Sequence, residues 1–306
     1  LNRIDNSNYD GYANHYGVIA VAGIDHNGKQ AFYSENGANI WISAYSGDAL
    51  SSGANMITTD ISGDILGDFP EFDPLDSGNG NSYSSEFSGT SAAAPVVTGV
   101  IALMLQANPN LTWRDVKIIL AQSAHQNDFA DSDWIYNGAG YHVNHKYGFG
   151  VINADDAVVT AIGWQNVGPM VEYSSSTSNP GLSIPDNNTT GVTDSITVKG
   201  SNINKIETIA ISVTITHSYS GDLKIILLSP NGTESILSEP HTCYDEETFD
   251  EAVCSFFSDG NTFTFSSVRT FGEQADGQWQ LKVVDGRSSD SGSFNSWSIT
   301  FYGRND

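Results

Sequence analysis

Ser91 lies in the run Gly-Thr-Ser-Ala-Ala-Ala-Pro, residues 89–95, directly before an apolar stretch with helical character. A serine hydroxyl becomes a nucleophile when a base takes its proton and donors hold the oxyanion that forms. The start of a helix offers unpaired backbone N–H groups and the positive end of the helix dipole. Gly89, Ala92, Ala93 and Ala94 leave room for a substrate backbone to approach. Pro95 is expected in the first turn, where its missing N–H costs nothing. These residue types suit acyl transfer at Ser91, and they equally suit a capped, alanine-rich helix with no chemistry. A base is harder to find. The histidines that precede Ser91 are His15 and His26, and both read as structural residues in turn-rich text.

Other residues capable of chemistry are acids and cysteines. Residues 62–86 are rich in Gly, Asp, Pro and Ser without periodicity, which predicts a long loop. Its acids read first as a solvated face and second as oxygen ligands for a hard cation. Asp222 and Asp285 sit beside turn glycines, where turn hydrogen bonding is the ordinary role. Cys243 and Cys254 are the two cysteines of the chain, and their spacing predicts one disulfide closing a short loop in an oxidising compartment.

The elements that must carry these residues fall into two textures. Residues 17–24 form a continuous β-branched apolar run, as in a strand buried on both faces, and residues 39–45 predict a second strand. A helix is expected over 91–106 and another over 111–124, the latter with Thr112 as N-cap and Asp115 three residues on. This alternation indicates an α/β layer fold. Residues 172–181 read as a polar, serine-rich linker. Beyond it, short alternating segments separated by turn residues predict an all-β sandwich, with Trp279 and Trp297 in its core.

The Gly-Thr-Ser-Ala-Ala-Ala-Pro run is identified as the serine motif of the subtilisin superfamily. "DNSNYDGYANHYGVIAVAGIDHNGKQAFYSE" (5–35) and "LQANPNLTWRD" (105–115) resemble the kexin and proprotein-convertase branch. "THSYSGDLKIILLSPNGT", "FGEQADGQWQLKVVD" and "SWSITFYG" resemble the P-domain that follows the catalytic domain in that branch. The resemblance implies an α/β subtilisin-like catalytic domain, present as its C-terminal portion over residues 1–165. A linker at 166–182 and an all-β jelly-roll or β-sandwich P-domain at 183–306 complete the expected organisation.

The same resemblance implies a calcium-dependent serine endopeptidase that cleaves after Arg or Lys through an acyl-enzyme at Ser91. It makes Asp10 the acid of the S1 pocket and Tyr12 an aromatic near S4. Asp5 and Glu35 become two carboxylates of a calcium site behind S1. The catalytic Asp, His and oxyanion Asn of the family would lie before Leu1, in the missing N-terminal part of the catalytic domain, so the chain alone is expected to be inactive. A disulfide frequent in the branch is absent, because its positions read Ser7 and Asn36-Gly37 here; this points to a bacterial kexin-like protease. Such proteases imply peptide or protein substrates, and often a propeptide or chaperone.

Composition bounds the partners. The 306 residues carry 36 acids against 12 bases, a net charge of −24. That argues against nucleic acid, whose phosphates require many Lys and Arg. The longest apolar run, residues 96–105, is too short to span a bilayer. A secreted protein, extracellular or periplasmic, is the expectation. The alternative is a non-catalytic β-sandwich binding module attached to a degenerate protease remnant.

Overall fold

The computed structural model describes residues 5–48, 54–59, 83–244, 251–252 and 254–306. Most of the acidic 62–86 segment lies outside them. Its last residues belong to a strand, β4.

In the first half, β1 (Ala20–Ile24) and β2 (Ile40–Tyr45) pair in parallel, while β3 (Met56–Thr59) and β4 (Tyr83–Phe87) pair antiparallel. Helix α1 (Thr90–Ala107) packs on β1 and β2, α2 (Trp113–Ser123) packs on β2, and α3 (Ala154–Ile162) packs on both helices. A small ribbon, β5 (Ile135–Tyr136) with β6 (His142–Val143), lies between α2 and α3. The expected strands are present, and their apolar runs are buried as parallel strands require. The cap of α2 forms as expected: the Thr112 hydroxyl accepts from the Asp115 N–H, and the Asp115 carboxylate accepts from the Thr112 N–H at 2.8 Å. The nine-residue α3 was not foreseen; Asn153 caps it by accepting from the Asp156 N–H.

The second half is a sandwich of two antiparallel sheets. One sheet orders β15 (Thr262–Ser267), β10 (Lys205–His217), β17 (Gly292–Arg304) and β7 (Val171–Ser174), with β8 (Leu182–Ile184) also paired to β17. The other orders β12 (Glu234–Ser238), β11 (Leu223–Leu228), β16 (Gly277–Asp285) and β9 (Asn188–Val198). A ribbon of β13 (Cys243–Tyr244) and β14 (Glu251–Ala252) stands apart from both. Alternate residues point into the shared core: Ile209, Ile211 and Val213 on β10, Trp279, Leu281 and Val283 on β16, Trp297, Ile299 and Phe301 on β17. Cys243 and Cys254 form the expected disulfide, with Cα atoms 5.3 Å apart.

The 166–182 linker needs correction in part. Val171–Ser174 is a strand whose residues face Gly303 to Thr300 of β17, and Leu182 begins β8. The thirteen-residue β17 offers a long edge for backbone pairing, and Val171 and Tyr173 turn onto the core beside it. Serine-rich text masks that two-residue alternation.

The two halves share a buried seam. Arg114 of α2 donates from Nε to Glu207 Oε2 at 2.8 Å and from its terminal nitrogen to Oε1 at 2.6 Å; Arg304 donates to Oε1 at 3.2 Å. All three side chains are more than nine-tenths buried. Val268 and Phe271 of the sandwich join the core of the first half, where Phe271 packs edge-on to Trp41 at 5.5 Å. Lys117 of α2 donates to the Tyr16 and Val18 carbonyls and lies 4.2 Å over Trp41; burial pushes its ammonium down to about 7. His145 donates from Nδ1 to Asp133 and accepts the Ile236 N–H of β12 on Nε2 at 2.9 Å. Burial first, then the nearby Arg269 cation, push the His145 imidazole down to about 4.

Removing one partner of a buried ion pair strands the other charge. Arg114→Ala is therefore expected to lower unfolding stability by about 3–5 kcal/mol in urea titration, whereas Arg114→Met, Glu207→Leu and Arg304→Leu together, which remove every charge of the triad, recover most of the loss. The seam is also acid-sensitive. The folded value for His145 lies below that of free histidine, so its contribution is whole above pH 6.5 and is lost as pH falls from 6.5 toward 4. Melting curves should fall across that window by an amount on the order of 3 kcal/mol. His145→Asn should flatten this part of the profile.

Candidate active site

Gly89 adopts φ 97°, a left-handed value that glycine tolerates, and so turns the chain from β4 directly into α1. The helix starts at Thr90, which places Ser91 in its first turn, exposed to solvent. No side chain among the described residues hydrogen-bonds the Ser91 hydroxyl. Pro95 differs from expectation. Because α1 begins at Thr90, Pro95 falls in the second turn, inside the helix. Its missing N–H is the one that would bond to the Ser91 carbonyl four residues back.

One stripe of α1 is buried: Ala93, Val97, Val100 and Met104, packed towards β1, β2 and α3. The opposite side shows Ala94, Pro95, Ala102 and Leu105 to solvent. The apolar run extends beyond residues 96–105: mean hydropathy is 1.5 over the 18 residues of the helix, long and apolar enough by composition to cross a membrane. A helix apolar on every side is built for enclosure. Its buried stripe ties it to the α/β core.

Beside the helix start lies a cavity of about 260 Å³, lined by Ala20, Ala22, Tyr33, Glu35 and Thr90 among others. It places the residue next to Ser91 and the half-buried Glu35 on one concavity. Burial first, then the charges of Asp5 and Asp10, raise the Glu35 carboxyl above the usual carboxylate range. Glu35 lines this cavity, whereas Asp5 and Asp10 do not and act on it through their charge; among the described residues the three carboxylates are not gathered into a metal-sized cluster. Asp5 is exposed, and its Oδ1 accepts the Asn6 N–H. Asp10 folds back on its own turn and accepts the Tyr12 and Ala13 N–H groups. Tyr12 is 78% exposed and lines no part of this cavity.

The histidines fall where structural roles predict. His15 accepts the Gly17 N–H and packs against Tyr16 with the rings tilted and their centroids 4.5 Å apart; His26 is exposed in the turn after β1. Asp285 accepts the Arg287 N–H and meets His217 at 3.3 Å, both side chains fully buried, and Arg287 lies 3.7 Å from Asp222. Turn bonds and ion pairs account for both acids. Thr90 and Tyr33 as cavity walls were not foreseen from sequence. The adjacency of Thr90 to the serine motif was the available signal for the first, and Tyr33 carries none.

Ser7 and Gly37 are brought together. The Ser7 N–H donates to the Asn36 carbonyl at 2.8 Å, and the Ser7 hydroxyl donates to Asn39 at 2.7 Å. A Cβ placed on Gly37 would lie 2.1 Å from Ser7 Oγ. Hydrogen bonds thus join the two segments here.

Residues 2–150 match the subtilase family and residues 206–301 match the proprotein convertase P-domain. Proprotein convertase subtilisin/kexin type 7 of Homo sapiens is 32% identical over 308 residues, covering 98% of this chain and 36% of that protein. Type 5 of Rattus norvegicus is 30% identical over 311 residues, covering 98% of this chain and 15% of that protein. The chain therefore spans about a third or less of these curated relatives. A crystal structure of a serine protease of Aeromonas sobria overlays with TM-score 0.85 at 24% identity, over 98% of this chain and 60% of that one. The A. sobria serine protease in complex with its chaperone (ORF2) overlays with TM-score 0.80 at 23% identity, over 94% of this chain and 57% of that one. The two overlays show a shared fold.

Ser7→Cys with Gly37→Cys should oxidise to a disulfide, measured as loss of free thiol. The bridge closes a loop of roughly thirty residues and should stabilise the chain by about 3–4 kcal/mol. Persistent free thiols under oxidant would show that the two positions do not face one another.

Proposed function

This chain belongs to the kexin and proprotein-convertase branch of the subtilases, and we propose that Ser91 is the nucleophile of a serine endopeptidase. One observation carries the reading: Ser91 is bare in the first turn of a helix, and its neighbour Thr90 shares a cavity with Glu35. Ser91 Oγ attacks the scissile carbonyl carbon, the amide C–N bond breaks, and water then releases the acyl group from the serine. The proton from Oγ must pass to a base and on to the leaving amine. Among the described residues no histidine hydrogen-bonds Ser91, and this reading assigns the base, its orienting acid and the oxyanion donor to other parts of the parent protease. The apolar outer face of α1 supports this, since such a face calls for a cover.

Asp10 sets a preference for Arg or Lys before the scissile bond, its carboxylate pairing with the substrate cation. Tyr12 is exposed where a more distant substrate side chain can reach it. Asp5 and Glu35 would hold calcium, which would clamp the segments that carry them. The disulfide supports a secreted location. The acidic surface suits basic peptide and protein substrates, and the complex known for the A. sobria protease supports a chaperone or propeptide as a folding partner.

Fluorophosphonate should leave Ser91 unlabelled in the isolated chain and label it in the longer protease. Ser91→Ala in that protease should lower kcat by a factor on the order of 10⁵–10⁶. Asp10→Asn should lower kcat/KM for Arg at the cleavage position at least a hundredfold with little change for an apolar residue, and chelation should abolish activity. Rapid labelling of the isolated chain would overturn the need for an outside base, and full activity of Ser91→Ala would overturn the reading itself.

A further inference from the structure

The disulfide of this chain stands beside a histidine. Cys243 Sγ, Cys254 Sγ and a ring nitrogen of His241 lie within 4.8 Å of one another. All three residues line a cavity of about 330 Å³ where the start of the chain meets the sandwich, and it shares no lining residue with the cavity beside Ser91. Two sulfurs and an imidazole are a different donor set from the carboxylates near Ser91. Thiolate and imidazole select zinc-like cations, whereas oxygen donors select calcium.

The backbone holds these side chains together without relying on the S–S bond. The Cys254 carbonyl accepts from the N–H and from the hydroxyl of Ser220, at 2.7 and 2.8 Å. The His241 N–H donates to the carbonyl of the adjacent Gly221 at 2.8 Å. A Cβ on Gly221 would lie 2.6 Å from Cys254 Sγ, so a glycine lets the chain pass this close to the sulfur. Cys243 pairs with Ala252 across β13 and β14. The His241 ring packs 5.1 Å from Tyr9, and its Nδ1 meets the Glu239 carbonyl at 2.9 Å. A carbonyl only accepts, so Nδ1 is the donor in the neutral and in the charged ring alike. Nε2 is therefore the nitrogen open to a metal, and the carbonyl orients the ring as outer partners do for histidine ligands generally.

We propose that Cys243 and Cys254, once reduced, bind a zinc ion together with Nε2 of His241, so that one site is a disulfide in oxidising surroundings and a metal centre in reducing ones. Two thiols of a reductant pass two electrons to the bridge; its S–S bond breaks, two cysteine thiols form, and the reductant leaves as a disulfide. Zinc then takes two thiolates and a bare ring nitrogen, and both thiol protons and any proton on Nε2 go to solvent. Tetrahedral zinc spaces such donors about 3.5–3.8 Å apart. The Cα atoms of the two cysteines are 5.3 Å apart, and rotation about their side chains brings the freed sulfurs to that spacing. Water from the cavity takes the fourth position. Asp5 and Ser255 also line the cavity, and the site needs neither as a ligand. In both states residue 243 stays joined to residue 254, by a covalent bond or through the metal.

The test uses the whole chain, reduced by a phosphine, which supplies the same two electrons and leaves as its oxide. Excess calcium fills oxygen-donor sites, and Co²⁺ followed by Zn²⁺ is titrated in. One equivalent of Co²⁺ should bind with the sulfur-to-cobalt charge-transfer band of thiolate coordination and the visible band of a tetrahedral ion, and Zn²⁺ should displace it. The oxidised chain should show neither band. His241→Phe keeps a ring against Tyr9 and removes the nitrogen; it should weaken zinc by roughly tenfold or more, with circular dichroism confirming the fold. Zinc should raise the melting temperature of the reduced chain and leave that of the oxidised chain unchanged. A folded reduced chain without the charge-transfer band, equal affinity in His241→Phe, or a reduced chain that stays unfolded with zinc present would each overturn the proposal.

Discussion

Glu207 carries a negative charge into the seam between the α/β half and the sandwich, where Arg114 and Arg304 meet it out of water. Each charge is tolerable there only because the others are present. That mutual dependence makes the relative placement of the halves specific rather than merely adhesive. Apolar contacts alone, such as Phe271 against Trp41, would permit sliding. The forked geometry of Arg114 on both Glu207 oxygens does not. Because Arg114 and Lys117 are both on α2, the helix that packs on α3 and β2 is also the one the sandwich grips.

The consequence reaches the site. Asn8 accepts the Ser266 N–H of the sandwich on its side chain, and the Tyr9 hydroxyl meets Ser238 at 2.6 Å. These two residues lie within the stretch between Asp5 and Asp10, so the sandwich holds the segment whose charges act on Glu35. The disulfide and the aromatic residues near Tyr9 brace the same stretch from the sandwich side. The placement of residues 5–10 thus depends on the sandwich.

The α1 helix shows a different economy. Its composition is that of a helix enclosed on every side, yet its contacts cover one stripe. Gly89 and Pro95 bracket Ser91 with two backbone departures, a left-handed turn before it and a missing amide after it. The Gly89 carbonyl accepts from the Ala92 and Ala93 N–H groups, and Pro95 leaves the Ser91 carbonyl without its helical donor.

Much of this was legible in the residues. The serine motif, the capping box of Thr112 and Asp115, the two buried strands, the core roles of Trp279 and Trp297 and the Cys243–Cys254 pair depend on local pattern or on chemistry that survives as text. What the chain order could not convey was decided by long-range contact. Val171–Ser174 became a strand because β17 offered an edge more than a hundred residues away. Pro95 moved into the helix because the turn at Gly89 set the start, which no periodicity marks. Ser7 and Gly37 touch, and Arg114 finds Glu207, only after both halves have folded. Local sequence encodes which conformations each segment prefers, whereas burial of a charge or the filling of a cavity is a property of neighbours brought together by the whole chain.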